Sequence, residues 1–198
     1  MPAATPLSRT VDRSEAARLA SLLATTFHQD ALTRWMITDE QRRAELLPDF
    51  FRVLVELHAH HDGVLTSPQG DAVFLYLPPH AEPDDTAVSQ ALAATLGPHA
   101  PALKTITALQ AAHHPTTPPH YYLAFGAVRA GRQQTGLGKQ LLTHILHRAD
   151  HEGVGAYAEA SSPGGQALLQ ATGFTPIGAD IVLPDNGPTL RPMWRDPR

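Results

Sequence analysis

The segment from residue 121 to residue 151 constrains the fold of this chain more than any other. Residues 121–128 are aromatic and apolar, as in a buried central strand, and residues 136–151 follow a helical pattern after a polar loop. The first turn of a helix has unpaired N–H groups, and the helix dipole favours an anion there. Because Gly136 and Gly138 let a pyrophosphate approach the backbone closely, the segment predicts a phosphate-binding loop. The alternative is that these glycines only mark a strand-to-helix turn.

Two familiar phosphate-binding loops do not fit this segment. The dinucleotide-binding motif requires a third glycine at the position of Leu141. The NTPase loop requires Ser or Thr after its lysine, whereas Gln140 follows Lys139, and the glycine spacing is also too long. Arg132 and Lys139 could add positive charge for a different phosphate ligand.

The rest of the chain interleaves strands and helices, which predicts one α/β (α+β) domain over residues 1–198 with a mixed sheet and helices on both faces. Further strands are predicted at residues 7–11, 63–67, 72–77 and 155–160, and a closing hairpin at residues 175–183 and 189–194. Helices are predicted from the cap Ser14 to Phe27 and at residues 39–61, 84–96, 101–114 and 164–171, with a loop or short turn at residues 28–39.

Composition excludes several classes of function. The formal net charge of −4 lacks the basic excess of a nucleic-acid-binding protein. The absence of cysteine excludes a disulfide scaffold, a thiolate zinc site and a cysteine acyl intermediate. Neither a signal peptide nor an apolar run of about 20 residues is visible. We therefore expect a soluble cytoplasmic protein with no nucleic-acid or membrane partner.

Two histidine groups have spacings that could suggest a metal site. His144, His147 and His151 lie opposite the apolar side of their predicted helix, so they are expected in solvent. His58 and its neighbours His60 and His61 end another helix, where cations interact favourably with the dipole. No metal is expected in either place.

The glycine loop resembles the coenzyme-binding loop of the GNAT superfamily of acetyl-CoA-dependent N-acetyltransferases. Gln133-x-x-Gly136-x-Gly138 matches the Gln/Arg-x-x-Gly-x-Gly/Ala motif of that family. The wider pattern is similar to the branch that contains puromycin N-acetyltransferase. The matching pieces occur in order at Phe27, His28, Asp30, Thr33, Arg34, Trp35, Leu75, Leu77, Pro78, Pro79, Tyr122, Leu123, 159–163, Gly173, Phe174, Gly187, Pro188 and Met193.

This resemblance implies a central sheet that is splayed at its middle and binds acetyl-CoA or another acyl-CoA. The acceptor would be a small-molecule amine, acetylated by direct transfer in a ternary complex, and the protein would be a monomer or a homodimer. The coenzyme-binding residues would be Ala127, Val128, Gln133, Gln134, Thr135, Gly136, Leu137, Gly138 and Lys139.

The catalytic base should be a carboxylate or histidine near the splay. Strand alternation places Tyr157, Glu159 and Ser161 on one face. A partly buried Glu159 would have a raised pKa suited to a base that acts directly or through water, and the resembling family also has a glutamate here. The coenzyme A thiolate could be protonated by Tyr157, Ser161 or water. The alternative is that Glu159 is a solvated strand-end residue or a structural hydrogen-bond partner.

The second motif of the resembling family is degraded in this chain. Leu169, four residues before Gly173, replaces the tyrosine that protonates the coenzyme A thiolate. Gly165 replaces a common asparagine, and Gln134 stands where many members have glycine. The alternative function is therefore a catalytically weak or silent acyl-CoA-binding protein that acts as a sensor or interaction module.

Four residues are predicted to contact the acceptor. Phe27, Trp35 and Tyr76 lie in or near segments that flank the acceptor cleft of the resembling fold. His120 begins the central strand and could approach the same site. Each of these side chains could instead be an ordinary core or strand-end residue.

Overall fold

The computed structural model describes residues 11–198, the side chain of Asp85 apart, and contains one twisted sheet in the order β1-β2-β3-β4-β7-β5, with β6 paired to β7. The strands are β1 (Val64–Thr66), β2 (Ala72–Leu77), β3 (His120–Val128), β4 (Gly155–Ala160), β5 (Thr175–Pro176), β6 (Ile181–Val182) and β7 (Thr189–Arg195). The helices are α1 (Arg13–Phe27), α2 (Ala31–Met36), α3 (Glu40–His60), α4 (Asp85–Leu96), α5 (Ala100–His113), α6 (Leu137–Glu152) and α7 (Pro163–Ala171), with a 3-10 turn at Gly97–His99.

The sheet is mixed because β3 and β4 are parallel, whereas the other paired strands are antiparallel. Alternating side chains divide the core between its two faces. Val73 and Leu75 pack with α1 and α3 on one face, while Phe74 and Leu123 pack with α6 and α7 on the other. The predicted α/β architecture, with helices on both faces of a mixed sheet, is confirmed.

The start of the described chain differs from the sequence prediction in two places: the cap of α1 and the segment that contains α2. Asp12, and not Ser14, caps α1, because its carboxylate accepts a hydrogen bond from the N–H of Glu15. Asp30 caps α2 in the same way, and α2 occupies half of the loop predicted at residues 28–39. The strand predicted at residues 7–11 lies outside the described residues except for Val11, which is not in a strand.

The closing hairpin is confirmed, but its first strand is broken. The predicted strand at residues 175–183 forms two short strands, β5 and β6, on either side of a loop with Gly178 at a φ of 59°. Asp185 and Asn186 both have positive φ, as a tight hairpin turn requires, and the N–H of Gly187 donates to the carbonyl of Pro184.

The connection between β2 and β3 is a helical hairpin, although these strands are antiparallel neighbours that a short turn could join. It consists of α4 and α5. Leu92, Leu96 and Ile106 are buried in the cluster on the α1 and α3 face. The hairpin therefore covers that face of the sheet.

Candidate active site

The sheet opens between its two parallel strands. Their pairing runs from His120 opposite Gly155 to Leu123 opposite Ala158, although β3 continues to Val128 and β4 to Ala160. The register of β3 against β2 shifts at the same point, because Tyr76 is opposite Leu123 and Leu75 is opposite Phe125. A bulge at the intervening residue turns β3 away from β4. The result is the splay implied by the GNAT resemblance.

The glycine loop lies at the open end of β3 and leads into α6. Gly136 caps α6 in a left-handed conformation with φ of 85°, and among the described residues no side chain supplies a capping hydrogen bond. The first N–H groups of α6 are therefore left for another acceptor. Gln134 also has positive φ, at 60°, and the side chain of Thr135 donates to the carbonyl of Arg132 at 2.6 Å. This arrangement can hold an anion on backbone N–H groups.

Asp71 fixes the start of this loop to the end of the β1–β2 turn. Its carbonyl accepts from the N–H of Arg129 at 2.7 Å, and its carboxylate lies 2.6 Å from Nε of Arg129 and 3.8 Å from Nε of Arg132. Both guanidinium groups stay half exposed. Asp71 therefore holds two cations beside the loop, and Lys139 adds an exposed third.

The two motif glycines have different surroundings. A Cβ on Gly136 would meet nothing within 4 Å, so this side of the loop is open. A Cβ on Gly138 would lie 3.3 Å from Cγ2 of Val128 and 3.6 Å from Cδ2 of Leu168. Gly138 therefore lies where β3, α6 and α7 approach each other, and Gly136 lies at the open mouth.

Glu159 lies on the other side of the splay, near the end of β4. Its Oε2 accepts hydrogen bonds from the hydroxyl of Tyr122 at 2.9 Å and from Nε2 of Gln110 at 3.2 Å. Its Oε1 is buried and accepts no well-formed hydrogen bond among residues 11–198, although the Tyr157 hydroxyl lies nearby. Burial raises the pKa of Glu159 above its ordinary value, and the hydrogen bond from Tyr122 and the nearby Tyr157 hydroxyl act in the opposite direction.

Tyr157 precedes Glu159 by two residues and shares its face of β4. The Tyr157 hydroxyl is also buried and forms no well-formed hydrogen bond in the described part of the chain, although it lies near enough to the Glu159 carboxylate to interact with it. Burial, followed by the negative charge of Glu159, raises the pKa of Tyr157 above its ordinary value. Nε2 of His58 and Nε of Arg195 are also buried without a partner among the described residues, so the lack of a partner alone does not identify a site. Glu159 and Tyr157 are distinguished because they lie together on the face of β4 beside the splay, which makes this face the candidate site of chemistry.

A histidine pair lies beside these tyrosines. Nδ1 of His120 donates to the carbonyl of Pro118 at 2.8 Å, and its Nε2 lies 3.1 Å from Nε2 of His114. The ring of His114 packs edge-on against Tyr122 and Tyr157 at centroid distances of 4.9 and 4.7 Å. Burial, with a smaller contribution from His120, lowers the pKa of His114 to about 4. His114 is therefore neutral at physiological pH.

The end of β4 contacts the start of α2. Oγ of Ser161 donates to Oδ2 of Asp30 at 2.9 Å, and Oδ1 of Asp30 caps α2. Burial raises the pKa of Asp30 above its ordinary value. Ser161 shares the strand face of Glu159, so the α1–α2 region borders the face that carries Glu159.

Two of the predicted acceptor-contacting aromatics lie on the α1 and α3 face. Phe27 packs against Phe51 at 5.4 Å and against Phe125 at 5.5 Å between ring centroids, and it remains half-buried. Trp35 is also half-buried, and its Nε1 would lie 2.7 Å from a Cβ on Gly187. Phe125 is the first residue of β3 after the bulge, so this aromatic group borders the splay.

Tyr76, the other predicted aromatic, is not on this face. It is only 1% exposed and belongs to the cluster under α6. Its hydroxyl donates to the carbonyl of Asp62 and accepts from Arg148, both at 2.9 Å. The alternation of β2 directs the side chain of Tyr76 to the face opposite Glu159, so the sheet separates the two residues. The expectation that Tyr76 contacts the acceptor is corrected accordingly.

Leu169 and two groups of histidines lie away from Glu159. Leu169 is 7% exposed and packs within the cluster under α6 and α7. His144, His147 and His151 are exposed, as predicted. His58, expected as a helix-end cation, is instead buried and donates from Nδ1 to the carbonyl of Leu54. Burial lowers its pKa to about 4, so it is neutral at physiological pH.

Two negative findings apply to residues 11–198. No helix within that range is long and apolar enough to cross a membrane. Likewise, the described histidines and carboxylates form no group of three or more that could hold a metal ion.

Sequence reasoning did not identify Gln110 or His114 as site residues. Neither lies in a recognisable motif, and both reach the site only because the α4–α5 hairpin folds over the sheet. Tyr122 had one usable signal: it lies two residues after His120 on β3 and therefore shares its face.

Comparison with known proteins decides the family. The model of the acetyltransferase (GNAT) family matches residues 45–174, well over half of the chain. This chain belongs to the GNAT family of acetyltransferases. Members of the GNAT family typically use an acyl-CoA. No curated protein sequence matches this GNAT protein.

Solved structures share the fold of this GNAT protein at low sequence identity. A Corynebacterium glutamicum protein described as histone acetyltransferase HPA2 and related acetyltransferase is 24% identical, with 96% of this chain and 95% of that chain covered and a TM-score of 0.62. A mosquito arylalkylamine N-acetyltransferase like 5b is 13% identical, with 95% and 98% covered and a TM-score of 0.62. An agmatine N-acetyltransferase in its apo form is 15% identical, with 95% and 97% covered and a TM-score of 0.60.

Proposed function

We propose that this GNAT protein transfers the acetyl group of acetyl-CoA to the amine of a small molecule, by direct transfer in a ternary complex and with residues 1–198 acting as one domain. One observation carries the proposal. Glu159 is a buried carboxylate beside the splay whose Oε1 accepts no well-formed hydrogen bond among the described residues. Without cysteine in the chain, no acyl-cysteine intermediate can form.

The residues of the glycine loop fit the coenzyme. The uncapped N-terminus of α6 offers N–H groups between Gln133 and Lys139 for the pyrophosphate, and Gly136 leaves its approach open. Arg129, Arg132 and Lys139 supply positive charge. The backbone of Ala127 and Val128 lies beyond the last β3–β4 pair and is placed to bind the pantetheine amides once the long 3.5 Å hydrogen bond from Nε2 of Gln133 to the carbonyl of Val128 is exchanged. When bound there, acetyl-CoA supplies the acetyl thioester.

Glu159 acts as the base in this proposal. As the nitrogen–carbon bond forms and the carbon–sulfur bond breaks, the amine loses a proton to Oε1 of Glu159, directly or through water. The raised pKa of Glu159 brings its proton affinity closer to that of the amine. Tyr157 donates a proton to the departing thiolate and then recovers one from protonated Glu159, so both residues return to their starting states. The raised pKa of Tyr157 keeps it protonated at neutral pH but does not assist the donation itself.

The acceptor amine approaches from the α1 and α3 face, where Glu159 lies. Phe27 and Trp35 line that approach as half-buried aromatic surfaces, and His120 lies near Tyr157 at a centroid distance of 5.8 Å. An amine with an apolar or aromatic part suits these surroundings. The arylalkylamine and agmatine enzymes with this fold are named for small amines, which agrees with this substrate class.

The finer affiliation with the puromycin branch, the cytoplasmic location and the monomeric or homodimeric state stay predictions. The main alternative is an acyl-CoA-binding protein without transfer activity. Leu169 favours this alternative because leucine cannot replace the tyrosine acid of the resembling family.

The direct test is a panel of aromatic and aliphatic primary amines incubated with the protein and acetyl-CoA. Thiol release and the mass of the acetylated amine are measured together. The proposal expects amine-dependent thiol release and an acetylated product. Tight coenzyme A binding with no product from any amine would support the silent alternative.

A further inference from the structure

The α4–α5 hairpin reaches the candidate site from a distant part of the sequence. It occupies the connection between β2 and β3, and α5 brings Gln110 to Glu159 across 49 residues of chain. The amide of Gln110 is half-buried and donates from Nε2 to the carboxylate at 3.2 Å. An inserted element therefore contacts the proposed base directly.

The two well-formed hydrogen bonds to Glu159 converge on one oxygen. Gln110 and Tyr122 both donate to Oε2, whereas Oε1 forms no well-formed hydrogen bond in the described chain, and the nearby Tyr157 hydroxyl interacts with the carboxylate only weakly. The two donors approach from different elements, α5 and β3, so they restrict rotation of the carboxylate about its last side-chain bond. A carboxylate held in this way always presents the same oxygen.

We propose that Gln110 is a positioning residue for acyl transfer: together with Tyr122, it holds Oε2 of Glu159 and keeps Oε1 as the oxygen that receives the amine proton. This inference rests on the proposed function. Gln110 does not touch the reacting atoms and acts only through Glu159. It makes the inserted hairpin part of the catalytic apparatus of this chain.

The hydrogen bond from Gln110 also affects the charge of Glu159. Because N–H and O–H donors stabilise the ionised carboxylate, removal of one donor favours the protonated form. The other groups that face Glu159 are Tyr157 from β4, with His113 and His114 at the end of α5. The residue opposite Glu159 on β7 is Pro192, which has no charge. Beyond Ser161 lies the carboxyl of Asp30.

The test compares Gln110→Met with wild type. Methionine has a similar length and no N–H donor. Gln90→Met is the matched control, because Gln90 is an exposed residue on α4 of the same hairpin. The side-chain carboxyl carbon of Glu159 is followed by 13C NMR against pH in the protein saturated with coenzyme A, with Glu159→Gln to assign the signal. The pH profile of kcat/KM for thiol release is measured in parallel.

In Gln110→Met, we expect the pKa of Glu159 to rise and the acidic limb of kcat/KM to move to higher pH. On this limb, kcat/KM should fall about tenfold, since a hydrogen bond to a charged group contributes on the order of that factor. The dissociation constant of coenzyme A should stay unchanged. Gln90→Met should match wild type in every respect.

An unchanged NMR titration of Glu159 in folded Gln110→Met would overturn the inference, even if the variant were less stable. If Gln110→Met does not fold, Gln110→Asn replaces it, because the shorter amide cannot reach Oε2, and the same shift is required. Should wild type acetylate no amine, the proposed function fails. The NMR titration would then still decide whether Gln110 holds Glu159.

Discussion

At the scale of single residues, the candidate site is built around two buried polar atoms on β4. Oε1 of Glu159 and the hydroxyl of Tyr157 are both buried without a well-formed hydrogen bond in the described chain. An unpaired buried polar group costs about 1–3 kcal/mol, and here two such atoms lie on the same face of one strand. In our proposal, these two atoms are the proton acceptor and the proton donor of direct acyl transfer.

The first residue-scale prediction concerns the missing acid. Leu169→Tyr should lower stability by about 1–3 kcal/mol, because position 169 is already packed beneath α6 and α7. It should not accelerate thiol release, since Tyr157 already donates the proton in our account. Urea denaturation and thiol release are measured on the same preparation, and Leu169→Met, which conserves volume, is the control. A stable Leu169→Tyr with faster thiol release would remove Tyr157 as the donor.

At the scale of elements, the glycine loop is the segment whose local backbone the sequence predicted most completely. Its motif depends on local backbone chemistry, which adjacent residues encode: Gly136 has the left-handed φ that glycine permits, and α6 follows at once. The splay depends on a bulge in β3 and on where β4 leaves its partner. No local pattern encodes that divergence, and only the family resemblance suggested it.

Other features of the fold depend on packing or on strand orientation, and the sequence did not predict them. The α2 helix was missed because Asp30, followed by a short helical segment, resembles a turn until tertiary packing stabilises it. Tyr76 was assigned to the acceptor because its strand is nearby, whereas strand alternation decides the face. Both helices of the α4–α5 hairpin were predicted, but the contact from Gln110 to Glu159 depends on their tertiary placement.

The element-scale prediction compares two glycines of the same loop. Gly136→Val should weaken coenzyme A binding at least tenfold, because a side chain at the helix start occupies the space beside the N–H groups that bind the pyrophosphate. Gly131→Val is the matched control: Gly131 also has positive φ, at 79°, and also faces open space. Both variants should lose similar stability from the strained backbone. Titration calorimetry that shows equal affinity losses would contradict the loop assignment.

At the scale of the whole molecule, our proposal places the coenzyme across the splay, where β3 and β4 are no longer paired. The splay separates β3, with the glycine loop, from β4, with Glu159. A ligand that contacts both sides binds only the folded state and therefore stabilises it.

Acetyl-CoA or coenzyme A should accordingly raise the melting temperature. At a ligand concentration one hundred times the dissociation constant, mass action contributes about 2.7 kcal/mol, which is several degrees for a domain of this size. NAD and ATP at equal concentration serve as controls and should give much smaller shifts. No shift with millimolar coenzyme A would exclude the proposed ligand.

The most direct test of the central claim is the thiol-release rate of Glu159→Gln against wild type, from pH 6 to 9, at saturating acetyl-CoA with an amine from the panel. The amide conserves shape but cannot accept the proton. We predict that kcat falls by about 10²–10⁴, that the dissociation constant of coenzyme A is unchanged, and that the activity lost in wild type as pH falls through the raised pKa of Glu159 has no counterpart in the variant. Equal rates and equal pH profiles in the two proteins would contradict Glu159 as the base.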